Sequence, residues 1–303
     1  MAGKIRPKHS IWLGFGFFVL LTVRLSALPE SSAAKMVKTQ WLAENLSKEN
    51  IRIVDMRADI RDYWQAHIPG AVYLDSNMLR WPDKGIPVKL LPPEALAILL
   101  GQMGINENTF VVVYYDKNGY PPFYLIWALD YIGHKSSALL EDGFDRWSKE
   151  GRSLTQDYPA IKPVHYRLPS KLQTEVRATL EDVTAETKAG AILLDSRPQE
   201  LYNGEKGTWK RKGHIKGAIS HFWALDMNGD GTWKSKEELL VSYQKIGVTP
   251  DKNIIVYDGQ GQMAAHTYFS LKHILGFSKV KLYDGGFNEW SNREDLPVEA
   301  GVK

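Results

Sequence analysis

The sequence predicts an α/β protein of two similar domains, each a mainly parallel β-sheet flanked by helices. Three observations predict this class. The chain has 303 residues, the length of about two ordinary domains. Short β-branched runs alternate with longer stretches of helical periodicity, which is typical of βα units on a parallel sheet. The same ordered motifs also occur in both halves of the chain, which indicates an internal duplication.

The composition is that of an ordinary globular protein, with 44% hydrophobic and 24% charged residues. The net charge is only +3 and the basic residues are interspersed with acidic ones, so no nucleic-acid partner is expected. The chain contains no cysteine. The fold therefore has no disulfide and must be held by packing alone.

The first element is an apolar run, residues 11–23, that follows a basic start. The run is shorter than the roughly 20 residues that a membrane-spanning helix needs. It predicts a signal peptide over residues 1–33, cleaved after Ala27 or Ala33, and hence an exported protein, periplasmic or secreted. The alternative is an uncleaved anchor, because Arg24 follows the run and no small-x-small site is present. Membrane contact is expected only through this segment, if it is uncleaved.

The duplication defines the two domains. Each half contains a strand ending in Asp-x-Arg, then His-Ile-x-Gly-Ala, then a strand that runs into a glycine-bearing loop, and finally an Asp-Gly motif that ends in Trp. Corresponding motifs lie about 140–147 residues apart. These motifs are IRIVDMR (51–57), HIPGA (67–71), FVVVYYDKNG (110–119) and DGFDRW (142–147) in the first half, and AILLDSR (191–197), HIKGA (214–218), NIIVYDGQG (253–261) and DGGFNEW (284–290) in the second.

Helices are predicted between these strands by stretches such as residues 92–104 and 236–247. The segment 158–177 contains prolines and lacks helical periodicity, which predicts a linker. The predicted layout is domain 1 over residues 37–157, the linker over 158–177 and domain 2 over 178–303.

This order of motifs resembles the rhodanese family over about residues 37–300. In tandem thiosulfate sulfurtransferases of that family, the first domain is usually inert. The second carries a cysteine that opens a Cys-x-x-Gly-x-x-Ala loop. The matching stretch here runs from Asp258 to Ala264, so an aspartate stands where the resemblance implies cysteine. Asp116 holds the corresponding place in domain 1.

The replacement bears directly on the chemistry. Sulfur transfer needs a thiolate that attacks sulfur and holds it as a persulfide, which a carboxylate cannot do. The loop can still direct backbone N–H groups to one point at a helix N-terminus. Two interpretations stay open: the loop binds an oxyanion or a partner's acidic group, or the Asp258 carboxylate caps the helix and fills the space itself. The residues concerned are Asp258, Gly259, Gln260, Gly261, Gln262, Met263 and Arg197.

The remaining motif residues have structural alternatives. Arg57 and Arg197 would make either bidentate anion contacts or ion pairs with the neighbouring Asp, and the ion pair is favoured. His67 and His214 precede the same turn in both copies, which favours a turn-building role. His266 lies near enough in sequence to Asp258 for an acid–base pair, the alternative being a plain helix position. The tryptophans that close the two domains, Trp147 and Trp290, are expected to pack under the sheets.

A stretch of domain 2 matches the EF-hand loop formula, with oxygen ligands at positions 1, 3 and 5, glycine at 6 and glutamate at 12. It predicts a structural calcium site, whereas no cofactor is required. The alternative is an ordinary loop before a capped helix, since a strand and not an entry helix precedes it. The candidate ligands are Asp226, Asn228, Asp230, Thr232 and Glu237.

Three functions follow as hypotheses. The first is a non-enzymatic rhodanese-like protein that binds a small oxyanion, a sulfur compound or a protein partner. The second is an enzyme of another class that uses Asp258 as nucleophile or base. The third is the thiosulfate sulfurtransferase activity that the family resemblance implies by itself.

Overall fold

The predicted signal segment falls almost entirely outside the part of the chain that the structure describes. The computed structural model describes residues 1, 3, 35–116 and 119–301. None of the helices in these ranges combines the length and apolar character needed to cross a membrane. The signal peptide therefore stays a prediction from the sequence.

The first domain is built on a parallel sheet of five strands within the described residues, in the order β1-β7-β6-β2-β3. The central strand β6 is buried at every position, as expected for a strand covered by helices on both faces. A separate antiparallel hairpin, β4 and β5, extends from this domain. The strands are β1 (Met36–Val37), β2 (Ile51–Asp55), β3 (Ala71–Tyr73), β4 (Arg80–Asp83), β5 (Ile86–Leu90), β6 (Phe110–Tyr114) and β7 (Ser137–Leu140).

The helices of domain 1 connect these strands. Asp59 caps α2 by accepting a hydrogen bond from the backbone N–H of Arg61. The helix α4 starts with two prolines, whose missing N–H groups cost nothing in a first turn. The helices are α1 (Thr39–Asn45), α2 (Ile60–Gln65), α3 (Pro93–Gln102), α4 (Pro121–Tyr131) and α5 (Gly143–Lys149).

The second domain repeats this plan on a parallel sheet ordered β10-β8-β11-β12. A single parallel bridge between Arg177 and Leu282 takes the place that β1 has in domain 1. The strands are β8 (Ile192–Asp195), β9 (His214–Ile215), β10 (Ile219–Ser220), β11 (Ile254–Tyr257), β12 (Val280–Tyr283) and β13 (Val298–Glu299), and the helices are α6 (Leu180–Lys188), α7 (Gln199–Tyr202), α8 (Lys236–Lys245), α9 (Gln262–Phe269) and α10 (Gly286–Trp290).

The two domains share one hydrophobic core. The helices α4 and α9, which follow the corresponding loops of the two copies, pack against each other there. Phe123 of α4 contacts Phe269 of α9 edge to face, with ring centroids 5.2 Å apart. Both side chains are fully buried. The loops at the starts of α4 and α9 are therefore held close to the boundary between the domains.

The segment between the domains crosses the surface of domain 1. Residues 158–173 form neither helix nor strand, and the N–H of Val164 donates to the carbonyl of Gly101. The predicted positions of the two closing tryptophans are confirmed: Trp147 and Trp290 are buried, each in the cluster on one face of its own sheet.

Candidate functional site

The loop after β11 folds around the side chain of Asp258. This residue is 3% exposed. Its Oδ1 accepts hydrogen bonds from the N–H of Gln260, at 2.8 Å, and of Gly261, and its Oδ2 accepts from the N–H of Met263 at 2.7 Å. The carboxylate thus occupies the point on which the loop's N–H groups converge.

A glycine makes this tight turn possible. Gly261 has a φ of +94°, and a Cβ there would lie 2.8 Å from the Tyr124 ring of α4. Side chains are disfavoured both by that backbone conformation and by the close approach of the ring. The loop of domain 2 is therefore packed directly on a helix of domain 1.

Two influences oppose each other on the Asp258 carboxyl. Burial raises its pKa, whereas the hydrogen bonds from the loop N–H groups favour the charged form, and the net direction is upward. Because the charged form is disfavoured overall, a second negative group placed beside Asp258 would promote its protonation.

Arg197 lies beside this loop and is bound mainly to Asp195. Its Nε and Nη2 donate to the two oxygens of Asp195 at 2.9 and 2.6 Å, and Nη2 also donates to the carbonyl of Gly213 at 2.8 Å. The guanidinium stacks over the Phe287 ring at 4.2 Å. Its third nitrogen, Nη1, is buried and has no hydrogen-bond partner within the described residues. The favoured ion pair is present, and one donor remains unused.

A pocket of about 180 Å³ adjoins the loop. Trp209 and Tyr120 supply aromatic walls, and Arg197 and Gln262 are also among the lining residues. The Nε2 of Gln262, like Nη1 of Arg197, is buried without an acceptor in the described structure. Unpaired buried donors are costly. The pocket thus has apolar walls, and two of its lining residues, Arg197 and Gln262, each have a buried donor without an acceptor. This arrangement suits a small ligand carrying acceptor atoms.

Domain 1 completes this site. Tyr120, which immediately precedes α4, lines the pocket. Arg80, at the start of β4, donates from Nη1 to Oε1 of Gln260 at 2.6 Å. Two side chains of domain 1, the copy that the resemblance implies is inert, therefore contact the domain 2 site.

Sequence reasoning missed three residues of the site: Tyr120, Arg80 and Trp209. A signal for Trp209 is present in the motif spacing, since the offset between the two copies grows from about 140 to about 147 residues between Asp-x-Arg and His-Ile-x-Gly-Ala. The extra residues form the loop that places Trp209 over Gly259, where a Cβ would lie 2.7 Å from its ring. The contacts across the domain boundary leave no comparable local pattern.

The corresponding loop of domain 1 has a related arrangement. Arg57 makes the same paired contact with Asp55, through Nε at 3.1 Å and Nη2 at 2.7 Å, and stacks over Phe144 at 3.9 Å. Burial raises the pKa of Asp116 to about 6. Residues 117 and 118 lie outside the described residues, so the comparison of the two loops ends at Asp116.

The histidines have structural surroundings. Nδ1 of His214 lies 2.9 Å from the carbonyl of Tyr202 and Nδ1 of His67 lies 2.8 Å from that of Tyr63, consistent with the expected turn-building role. His266 does not pair with Asp258. It is fully buried and stacks on a tryptophan ring at 4.6 Å, and burial lowers its pKa to about 4.

The predicted calcium ligand Asp226 points into the protein. It is fully buried, and its Oδ1 lies 2.8 Å from Nε2 of His221. Its Oδ2 accepts hydrogen bonds from the hydroxyls of Tyr243, at 2.7 Å, and Ser270. His266 Nδ1 lies 4.0 Å from the same oxygen. Both oxygens of the first EF-hand position are therefore engaged in the interior.

The rest of that loop closes on itself near the surface. Oδ1 of Asp230 accepts from the N–H of Thr232 at 3.0 Å, and the carbonyl of Thr232 accepts from the N–H of Asn228 at 2.8 Å. Glu237 lies exposed in the first turn of α8.

Asp226 faces inward, whereas Asp230 and Glu237 lie in the exposed part of the loop and at the start of α8. In the described ranges no three His, Cys, Asp or Glu side chains are grouped to hold a metal ion. Calcium binding stays a prediction from the motif alone.

Comparisons with known proteins agree with the duplicated architecture. The Rhodanese-like domain family matches residues 38–150 and again 174–293. The sulfur carrier protein TtuD of Thermus thermophilus is 36% identical over 88% of this chain and 96% of its own length. A thiosulfate sulfurtransferase of Corynebacterium glutamicum is 31% identical over 88% of this chain and 91% of its own.

A solved structure of the anaerobic ergothioneine biosynthesis enzyme from Chlorobium limicola has the same fold, with a TM-score of 0.79 at 23% identity. The alignment covers 89% of this chain and 71% of that enzyme. The predicted α/β class with two rhodanese-like domains is confirmed. This chain, which contains no cysteine, belongs to the rhodanese family.

Proposed function

We propose that this protein is an exported rhodanese-like protein that lacks cysteine-dependent sulfur transfer and binds a small oxyanion or sulfur compound beside Asp258. The chemistry supports the first part. A persulfide requires a thiol, and the chain has none. Asp258 holds the place of the nucleophile and engages the loop's N–H groups with its own carboxylate.

The observation that carries the proposal is the pair of unused donors beside the loop, Nη1 of Arg197 and Nε2 of Gln262. A ligand with two or more oxygen or sulfur acceptors would satisfy both, which favours thiosulfate, sulfite and related anions. The pocket volume of about 180 Å³ fits ligands of this size and leaves little room for larger ones.

The charge of Asp258 limits which anions bind well. An anion in the pocket would lie near a buried carboxylate whose pKa burial already raises. Binding should therefore be accompanied by proton uptake at Asp258, so affinity should increase as the pH falls.

Isothermal titration with thiosulfate, sulfite and selenite tests the proposal. Substituting Gln262→Leu removes one donor and should weaken binding roughly tenfold. Gln244→Leu, an exposed position on α8, is the matched control and should bind as the wild type does. Flat titrations for every compound would remove the small-ligand proposal and leave binding of a protein partner.

The contacts of Asp258 do not favour the alternative of an enzyme that uses it as nucleophile or base. Both of its oxygens accept hydrogen bonds, and His266 lies against Asp226 instead. An ester and phosphate activity screen that gives equal rates for the wild type and Asp258→Asn would end that alternative.

Export is a separate part of the proposal and is supported by the N-terminal sequence alone. N-terminal sequencing of the protein purified from its own cells should begin at residue 28 or 34. A mature protein that still starts at Met1 would instead support the uncleaved anchor.

A further inference from the structure

Arg52 is a guanidinium without a counter-charge. It is the second residue of β2, and within the described structure it makes no ion pair or side-chain hydrogen bond. Its Nε is buried without an acceptor. The buried Arg57 and Arg197, which follow the ends of β2 and β8, each pair with a carboxylate, at 2.7 and 2.6 Å. Arg177, partly buried between the domains, pairs with Asp284 at 2.8 Å.

The guanidinium of Arg52 lies close to Gly104. A Cβ on Gly104 would lie 2.8 Å from Nη2 of Arg52 and 3.1 Å from Cγ2 of Ile161, and Gly104 has a φ of +71°. The guanidinium therefore lies against Gly104, where the positive φ disfavours any side chain. Burial lowers the pKa of Arg52, as expected for a partly desolvated cation without a carboxylate beside it.

The guanidinium lines a groove of about 710 Å³. The lining includes two further cations, Lys48 and Lys162, and a single carboxylate, Glu49. Thr109 and neighbouring asparagines add polar groups. The groove thus has an excess of positive charge around a donor fork that is not used inside the protein.

This groove lies away from the Asp258 pocket. Arg52 is near the start of β2, whereas the Asp116 loop follows the end of β6 in the same sheet. In parallel sheets the starts and ends of the strands form opposite edges. None of the residues that line the Asp258 pocket also lines this groove.

We propose that the groove around Arg52 is an anion site that takes a phosphate group, held by the guanidinium fork and flanked by Lys162. A partly buried guanidinium with no internal partner is stabilised by a bound anion, and its planar fork matches phosphate oxygens in a bidentate way. The groove is larger than a phosphate ion and leaves room for the remainder of an organic phosphate. Residues 160–164 of the linker form one wall, so a ligand here would tie the linker to domain 1.

Titration of the whole protein with inorganic phosphate, pyrophosphate and sulfate tests this site. Substituting Arg52→Gln should weaken phosphate binding at least roughly tenfold, and Arg52→Lys should retain part of it because the charge remains but the fork is lost. Arg61→Gln, at an exposed arginine on α2, is the control and should bind normally. Gln262→Leu should also leave this binding unchanged, which separates the site from the Asp258 pocket.

Thermal unfolding shows whether each variant is folded and whether phosphate stabilises it. Phosphate should raise the unfolding midpoint of the wild type and of Arg61→Gln, but not that of Arg52→Gln. Absence of phosphate binding to the wild type, or equal binding by Arg52→Gln, would overturn the proposal. Tighter binding of pyrophosphate than of phosphate would support an organic phosphate as the ligand. If Gln262→Leu abolishes phosphate binding, the anion binds in the Asp258 pocket and not in this groove.

Discussion

Substituting Gly261→Ala tests how tightly the Asp258 loop is packed on domain 1. The substitution adds one methyl group, at a residue with a φ of +94°. The new Cβ would lie 2.8 Å from Cε2 of Tyr124 and 3.3 Å from the Cα of Asp284. Tyr124 is fully buried, so its ring cannot move aside into solvent.

The expected cost has two components. A non-glycine residue in the left-handed region costs about 1–2 kcal/mol, and forcing a methyl group into a well-packed interior costs about 1–3 kcal/mol more. The free energy of unfolding should therefore fall by about 2–5 kcal/mol.

Two other glycines separate these components. Gly217 has a φ of +82° with nothing within 4 Å of an added Cβ, and Gly229 has open space and no positive φ. Gly217→Ala should lose only the backbone component, about 1–2 kcal/mol, and Gly229→Ala should be close to neutral. Urea unfolding at one pH, followed by tryptophan fluorescence, measures all three. If Gly261→Ala costs no more than Gly217→Ala, the loop is not packed against Tyr124 as described.

Three further predictions concern pH and calcium. The pKa of Asp116 is raised from 3.8 to about 6 in the fold, so its contribution to stability is full below pH 3.8 and is lost as the pH rises through 6. Between pH 4 and 7 the wild type should therefore lose stability relative to Asp116→Asn. Stability profiles of the two proteins that run parallel over this pH range would contradict this. The pKa of His266 is lowered from 6.5 to about 4, so its contribution to the free energy of unfolding is full above pH 6.5 and decreases by up to about 3 kcal/mol as the pH falls to 4. The urea midpoints of His266→Phe should lack this decrease. If they fall with pH as those of the wild type do, the burial of a neutral imidazole is refuted. The EF-hand motif predicts calcium binding, whereas the structure turns Asp226 towards the interior. The thermal midpoint at about 1 mM calcium, the range of weak extracellular sites, decides between them: a rise that Asp226→Asn abolishes would show that the loop closes around the ion, and an unchanged midpoint would show that Asp226 stays inside.

Much of the fold could be predicted from the sequence because its signals are local and occur twice. Runs such as residues 110–114 and 254–257 are apolar throughout, as buried parallel strands are. The sequence also indicated helix capping by the Asp258 carboxylate as one of two interpretations of the loop, and its oxygens do accept hydrogen bonds from the loop's N–H groups.

The rest of the site depends on side-chain directions and on contacts between distant residues. The EF-hand formula specifies spacing, but it does not specify that Asp226 turns inward to Tyr243 and Ser270. Likewise, no local pattern indicates that Arg80 reaches Gln260 from 180 positions away in the chain. Such contacts follow from the packing of the two copies against each other.

The measurement that tests the central claim most directly is a thiosulfate-to-cyanide sulfur-transfer assay on the wild type and on Asp258→Cys. The claim is that this chain keeps the rhodanese loop but has a carboxylate in place of the reactive thiol. The wild type should give no thiocyanate. The Asp258→Cys variant should gain turnover, because a thiolate at this position would be stabilised by the same N–H groups that now bind the carboxylate. Turnover by the wild type, which has no cysteine, would contradict the account.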